Sequence, residues 1–440
     1  MPHTAYIVEC VRTAGGKKNG RLREMHPIAM GAAVLDAIVE RTGIDGALID
    51  DVIVGCVAQS GAQGGNIGRN MVLASRHLPE SVPGTSVDRQ CGSSQQAIHF
   101  AAQAVMSGTQ DCVIAAGVEH MSSVPIGSNI VDGMKAGHGF PSTCSCRCSN
   151  SGCSLLLLQL LLLLTPAPTV TDELELKYGE ALAERGESFF SQFEGAEMLA
   201  EQYDIQRGEM EAFAELSHAR AVAATDSGRF AREIVALQGV DKVGNAVEHR
   251  VDEGIRPGTT GAKLAKLKTL KGMKRDDPTQ GRLTAALSSQ ICDGAAAILI
   301  CNEAGLRKLK VRPRAKIVAL ALAGADPVVM LGAPIPATRN VLARAGMSIG
   351  DMDLYEVNEA FASVPLAWRK ALGADMEKLN VNGGAMALGH PLGGTGCKLM
   401  TTLVHELERR GGRFGLQAIC EGGGTANATI IERVDPQARL

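Results

Sequence analysis

Short β-branched runs alternate with longer stretches of helical period along most of this 440-residue chain. Asp51–Val57 and Asp111–Gly117 are apolar runs of strand length, while Ala29–Thr42 and Ala97–Ser107 gather their apolar residues on one helical face. A strand at Ala5–Cys10 opens the series. After residue 310 the rhythm returns with strand Ala315–Ala321, helix Pro336–Ala345, strand Asp353–Asn358, helices Ala360–Leu372 and Gly396–Arg410, then strands Gly415–Cys420 and Ala428–Glu432. Such alternation predicts an α/β fold with helices on both faces of its sheets. It also predicts two halves of comparable size, one made of residues 1–119 with about 291–312 and the other of 313–440. Between them, residues 120–290 are more helical and more charged, as in Gly195–Tyr203 and Arg207–Thr225, and are expected to form an inserted loop domain.

One segment breaks the pattern. Ser142–Ser154 holds four cysteines spaced C-x-C-x-C-x4-C, and Leu155–Leu164 is leucine at nine of its ten positions. A run of that length is too short for a bilayer, which needs about 20 apolar residues, so no membrane span is expected. The cysteine spacing lacks the C-x2-C pairs of zinc sites, and no metal is expected. Residues 142–171 are read as an anomalous insertion into the loop domain.

Charge narrows the partners. With 44 basic and 47 acidic residues and a net charge of −3, no basic stripe points to nucleic acid or an anionic membrane surface. The 12 cysteines are too dilute in a chain this long for a disulfide scaffold, which favours a reducing compartment. The chain ends Ala438-Arg439-Leu440, similar to a peroxisomal address, so a peroxisomal location is expected, with the cytoplasm as the alternative.

Four segments carry candidate chemistry. In Ser86–Val105 a polar, glycine-containing turn runs into a helical pattern and places Cys91 at a helix N-terminus, where unpaired N–H groups and the helix dipole favour thiolate. His390 sits in the glycine-rich loop Asn380–Gly396, open to close approach by a ligand and suited to proton transfer near neutral pH. Cys420 ends a strand and meets Gly422, Gly423 and Gly424, whose N–H groups can face an oxyanion. Asn358, in Tyr355–Ala362, ends a strand and opens a helix, so a plain N-cap role is the competing reading. The glycine run of the His390 loop has no G-x-x-x-x-G-K-[ST] and no strand-GxGxxG-helix context, which argues against a nucleotide phosphate there.

Taken in order, these segments resemble the thiolase family. Cys91 falls in V-D-x-x-C-x-S-x-x-Q-A, Asn358 in N-E-A-F-A, His390 in G-G-A-x-A-x-G-H-P and Cys420 in C-x-G-G-G. The likeness also takes in Arg12-Thr13, Ser217–Arg220, Arg256–Thr260, Ser288–Ala296 and Gly346–Asp353, leaving out 142–171. It implies a five-layered α-β-α-β-α fold of two related halves with a loop domain, a homodimer or homotetramer, and acyl-CoA and CoA as substrates with no cofactor. It further implies that Cys91 is the acylated nucleophile activated by His390, and that Cys420 is the acid/base at the α-carbon of acetyl-CoA. One oxyanion hole would use His390 and a water held by Asn358, the other the N–H groups of Cys91 and Gly422. Arg256 would lie near the CoA nucleotide, Ala285 and Ser289 along the pantetheine, and Phe361 at the pocket wall.

Two departures shape the expected specificity. Thr284–Ser289 reads T-A-A-L-S-S where the family shows T-A-G-N-x-S, and Ser191–Gly195 stands where acetoacetyl-specific members carry H-M-G. The expectation is therefore a degradative 3-ketoacyl-CoA thiolase. An acetoacetyl-CoA-specific biosynthetic enzyme and a non-catalytic CoA- or lipid-binding relative are the alternatives. A decarboxylating condensing enzyme would need histidine where Cys420 stands.

Overall fold

The computed structural model describes residues 3–130, 170–184, 190–270 and 281–435. The cysteine cluster, the leucine run and the C-terminal tripeptide lie outside these residues. In the first half, strands β1 (Tyr6–Thr13), β2 (Asp51–Gly55), β3 (Gly84–Val87), β4 (Cys112–His120) and β5 (Cys292–Cys301) form a sheet ordered β1-β5-β4-β2-β3. In the second half, β6 (Ala315–Gly324), β7 (Leu354–Val357), β8 (Phe414–Glu421) and β9 (Thr425–Arg433) are ordered β7-β8-β9-β6. The two sheets join where β1 meets β6 antiparallel through two residue pairs, Tyr6 with Lys316 and Ile7 with Ala315.

Helices α1 (Pro27–Thr42) and α2 (Ile67–Ala74) cover one side of the first sheet, and α3 (Ser93–Ser107) covers the other. Three more helices belong to the segment between the halves: α4 (Val170–Ala183), α5 (Gln192–Gln202) and α6 (Arg207–Asp226). Helices α7 (Pro334–Ala345) and α8 (Ser363–Leu372) pack in the outer core of the second half, and α9 (Thr395–Arg410) lies against α3 in the middle. The result is the helix-sheet-helix-sheet-helix layering of a thiolase-like fold.

Burial explains why the central strands read as continuous apolar runs. Along β4, Cys112, Ile114, Ala116 and Val118 pack towards α1 and α2, while Val113 and Ala115 pack towards α3 and α9. The neighbouring strand β5 divides in the same way, with Ala295, Ala297, Leu299 and Cys301 on one side and Ala296, Ile298 and Ile300 on the other. A strand covered on both faces has no solvent side to mark with polar residues.

Several boundaries differ from the sequence expectation, mostly through pairing. β9 begins at Thr425 instead of Ala428 because Thr425 pairs with both Glu421 and Gly324. β4 runs on to His120 because each residue from Cys112 has a partner in β5. Helix α8 starts at Ser363, not Ala360: Ser289 N–H donates to Ala360 O and Ala362 N–H to Leu287 O, holding the preceding segment against a neighbouring stretch of chain. Asn358 is therefore no N-cap, since Ala362 holds the cap position of the helix.

The α3–α9 contact is close enough to require glycine. A Cβ on Gly396, in the first turn of α9, would sit 2.0 Å from the backbone N of Gln95 in α3. Alanine in a helix otherwise gains about 0.5–1 kcal/mol over glycine, but forcing a methyl into a packed core costs about 1–3 kcal/mol. Backbone against backbone cannot yield, so Gly396→Ala is expected to destabilise by about 1–3 kcal/mol, measured by urea unfolding. An unchanged midpoint would contradict this account of the helix crossing.

Candidate active site

Strand ends and helix starts converge between the two sheets. Val357 closes β7, Cys420 stands one residue from the end of β8, and α3 and α9 begin at Ser93 and Thr395. This is the place where α/β sheets concentrate ligand chemistry. The side chains of Cys91, Asn358, His390 and Cys420 all lie at this level, each at most 5% exposed.

Cys91 sits on a tight turn just ahead of α3, whose N-cap is Gly92. Gly92 N–H donates to Arg89 O, Ser93 Oγ accepts from Arg89 N–H, and Gln90 N–H donates to Asp88 Oδ1. Gln90 takes a φ of 48°, in the left-handed region that a non-glycine residue seldom occupies. Strain of this kind persists where surrounding structure imposes it. The Cys91 side chain packs with Leu399 of α9 and Ile419 of β8.

That packing opposes the thiolate that the helix end favours. Burial pushes the Cys91 thiol well above the ordinary cysteine range, and Cys420 and Glu421 add to the effect. Burial likewise pushes Cys420 up to about 12, against the opposing hydrogen bonds that include one from Asn358. The helix end is present, but desolvation outweighs it. Burial thus disfavours the thiolate form of both cysteines.

His390 has the geometry of a proton acceptor. Thr395 Oγ1 donates its own proton to Pro391 O at 2.9 Å, which leaves its oxygen to accept from His390 Nδ1 at 2.6 Å. The proton therefore sits on Nδ1, and Nε2 offers its lone pair to Asn358 Nδ2 at 3.3 Å. Burial, with Lys398 adding to it, lowers the His390 pKa to about 3. A depressed histidine pKa means that neutral imidazole is retained well into the acid range. No acid limb from His390 is expected in the kcat/KM profile above about pH 4. Titration of its imidazole by NMR checks this, and a midpoint near the ordinary histidine value would refute it. By the same sign, stability tied to this group is complete above the unfolded-state pKa and is lost as pH falls towards the folded one.

Several residues that hold this geometry were not singled out from the sequence. Lys398, 5% exposed, donates to the carbonyls of Leu388 and Gly389, the two residues before His390. Its charge faces Asp252 at 3.9 Å, and Asp252 is bonded to Arg12 at 2.9 and 3.1 Å. Gln290 O accepts from His390 N–H, while Gln290 Nε2 donates to Gly254 O and Met386 O. Glu119 gathers the N–H groups of Val57, Ala58 and Gly393, tying the loop after β2 to the His390 loop. A lysine and a glutamate inside apolar runs were the available signals, since such residues are seldom buried without partners.

The other expected positions divide by exposure. Phe361 is buried, with its ring 5.4 Å from that of Phe193, and Ser288 beside Ser289 bridges to it. Ser289 N–H is held by Ala360 O, so Ser289 and Phe361 are joined to the segment that begins at Asn358. Arg256 and Ala285 are exposed. The N–H of Arg256 is held by His218 Nδ1, and Ala285 opens a short turn at Ala285–Leu287. Gly422 is half-buried, and a Cβ there would lie 3.1 Å from Gln90 Oε1, placing its backbone beside the Cys91 turn. For a metal, Glu9, Cys10 and His405 are close enough together, but Arg314 already bonds Glu9 and lies 3.2 Å from His405 Nδ1.

Two buried thiols and a neutral imidazole, at the strand ends of a doubled α/β fold, are groups suited to covalent acyl transfer. The thiolase N-terminal domain family matches residues 5–147 and 187–304, and the thiolase C-terminal domain family matches 311–433. The chain belongs to the thiolase family. It is 46% identical to the steroid 3-ketoacyl-CoA thiolase of Mycobacterium tuberculosis, over 98% of this chain and 94% of that one. It is 40% identical to the 3-ketoacyl-CoA thiolase of Psychrobacter cryohalolentis, over 98% and 99% of the two chains. Among solved structures, human mitochondrial 3-ketoacyl-CoA thiolase superposes with a TM-score of 0.79 at 32% identity, covering 98% of this chain and 99% of the other. The acetyl-CoA acetyltransferase of Bacillus anthracis gives 0.80 at 33% identity, with the same coverage. The protein is an acyltransferase of thiolase type, acting by thiolytic cleavage of 3-ketoacyl-CoA.

Proposed function

We propose that Cys91 is the residue acylated in this reaction, with His390 as its base, Cys420 as the acid/base at the α-carbon, and Asn358 and Gly422 as partners of the developing oxyanions. His390 Nε2 accepts the Cys91 proton as sulfur attacks the keto carbonyl. The bond between the α- and β-carbons breaks, its electron pair goes to the α-carbon, and Cys420 supplies the proton that completes acetyl-CoA. The shortened acyl group stays on Cys91 as a thioester until CoA sulfur displaces it and the protons return. Covalent capture splits one difficult step into two. The observation that carries this reading is the fixed tautomer of His390, which leaves Nε2 as an acceptor beside Asn358, whose side chain also bonds Cys420. Asn358 Oδ1 is buried without a partner among the described residues, which suits it to hold a water in the oxyanion site.

CoA would run past Ser289 and Phe361, with Arg256 and Ala285 on its exposed length. Incubation with acetoacetyl-CoA and CoA, followed by loss of 3-ketoacyl absorbance, tests the reaction. Absence of turnover by folded protein would favour the CoA- or lipid-binding alternative. A series from short linear to bulky ring-bearing 3-ketoacyl-CoA esters tests the substrate, because the Mycobacterium relative is a steroid 3-ketoacyl-CoA thiolase. The bacterial origin of the relatives supports the cytoplasm over the peroxisome, and a homodimer or homotetramer is the expected assembly, checked by light scattering.

A further inference from the structure

Behind the Cys91 turn, two buried acceptor oxygens converge on one point without a donor among the described residues. A Cβ on Gly92 would lie 1.9 Å from Glu421 Oε1 and 2.4 Å from Asn427 Oδ1, so both atoms crowd the same point. Glu421 and Asn427 are each fully buried, and neither of these oxygens has a hydrogen-bond partner among the described residues. The rest of each group is engaged. Glu421 Oε2 accepts from Thr425 Oγ1 at 2.7 Å. Asn427 Nδ2 donates to Gln96 Oε1 at 3.2 Å, which turns its carbonyl towards Glu421.

Two apposed acceptors are costly when buried, and one proton on either converts them into a hydrogen bond. An amide cannot carry it, whereas a carboxyl can. We propose that Glu421 is a positioning residue: it backs the Cys91 turn as a neutral carboxylic acid whose Oε1 proton is shared with Asn427 Oδ1, and loss of that proton slows Cys91 chemistry on the alkaline side. The inference rests on Cys91 being the acylated residue.

The surroundings agree. Burial pushes the Glu421 pKa up to about 8, against the Thr425 hydroxyl and the Arg89 charge that pull it down. Cys91 lies on the same turn as Arg89, and Cys420 precedes Glu421 on β8. From β9 come the uncharged Thr425 and Asn427, and His99 beside Asn427 is held neutral by burial, its pKa lowered to about 3. A carboxylate at this position raises the Cys91 thiol, whereas the neutral acid leaves it unopposed as it ionises towards His390.

The test follows the rate at which iodoacetamide labels Cys91 in the full-length protein across pH, read by peptide mass spectrometry. Glu421→Gln keeps a donor for Asn427 Oδ1 and cannot ionise. It is expected to label about tenfold faster than wild type above about pH 9, with the difference closing below the Glu421 pKa. Its ratio of thiolysis at alkaline to neutral pH is expected to rise in parallel. Thr425→Ala removes the donor that favours the charged form and should move the wild-type break to higher pH, which keeps a readout should Glu421→Gln fail to fold. Infrared spectra at neutral pH should show a protonated-carboxyl band that Glu421→Gln removes. Superimposable labelling profiles for wild type and Glu421→Gln, an unmoved break in Thr425→Ala, or no such band would each overturn the proposal. Failure of Cys91 to take label in wild type would instead count against the acyl-enzyme reading.

Discussion

Cys91→Ser is expected to lower thiolysis by on the order of a thousandfold or more, while leaving the fold intact, because it changes a single side-chain atom where the residue packs on Leu399 and Ile419. The loss follows from ionisation. Even the thiol is held far above its ordinary range by burial, and a hydroxyl would be harder still to deprotonate with a neutral imidazole. The second readout is covalent. Mixed with a 3-ketoacyl-CoA in the absence of free CoA, wild-type protein should gain the mass of the shortened acyl group and the variant should not. A variant that turns over within tenfold of wild type, or acylates elsewhere, would remove Cys91 from the mechanism.

Replacing His390 with alanine should cost about 10²–10⁴-fold in kcat, the usual range for a positioned general base. With burial opposing the thiolate form of both cysteines, the proposed mechanism needs the imidazole for its first proton transfer. KM should move little, since His390 is deeply buried and its partners are Thr395, Asn358 and its own loop. The measurement is a full kinetic comparison over pH. Recovery of the lost rate by added imidazole would support a proton-transfer role, whereas a KM effect alone would assign His390 to binding.

Much of this site was readable in the chain. Cys91, Asn358, His390 and Cys420 each stand where a strand or helix pattern breaks, and the structure brings them to one level between the sheets. The helix end near Cys91 is also legible, but the desolvation that opposes its effect on the thiol is not. A helix terminus is a local feature, while desolvation comes from β8 and α9, more than 300 residues away along the chain. The competing N-cap reading of Asn358 fails for the same reason. Nothing local to Tyr355–Ala362 reveals that Leu287 and Ser289 will take up the backbone bonds of Ala360 and Ala362.

The residues missed altogether show the same division. Lys398, Glu119, Gln290 and Thr395 act by holding the backbone or ring of the His390 loop, and their type alone does not announce it. Chain order was enough to establish the alternating α/β layers and the family, and to single out Cys91, Asn358, His390 and Cys420 as candidates, because periodicity and short motifs are local and survive without knowledge of contacts. Which protonation state each group adopts, which nitrogen of His390 is free, and how the glycines let α3 and α9 touch were settled only by folding. Those properties depend on solvent exclusion and on hydrogen bonds between distant segments, and no short stretch of chain contains either.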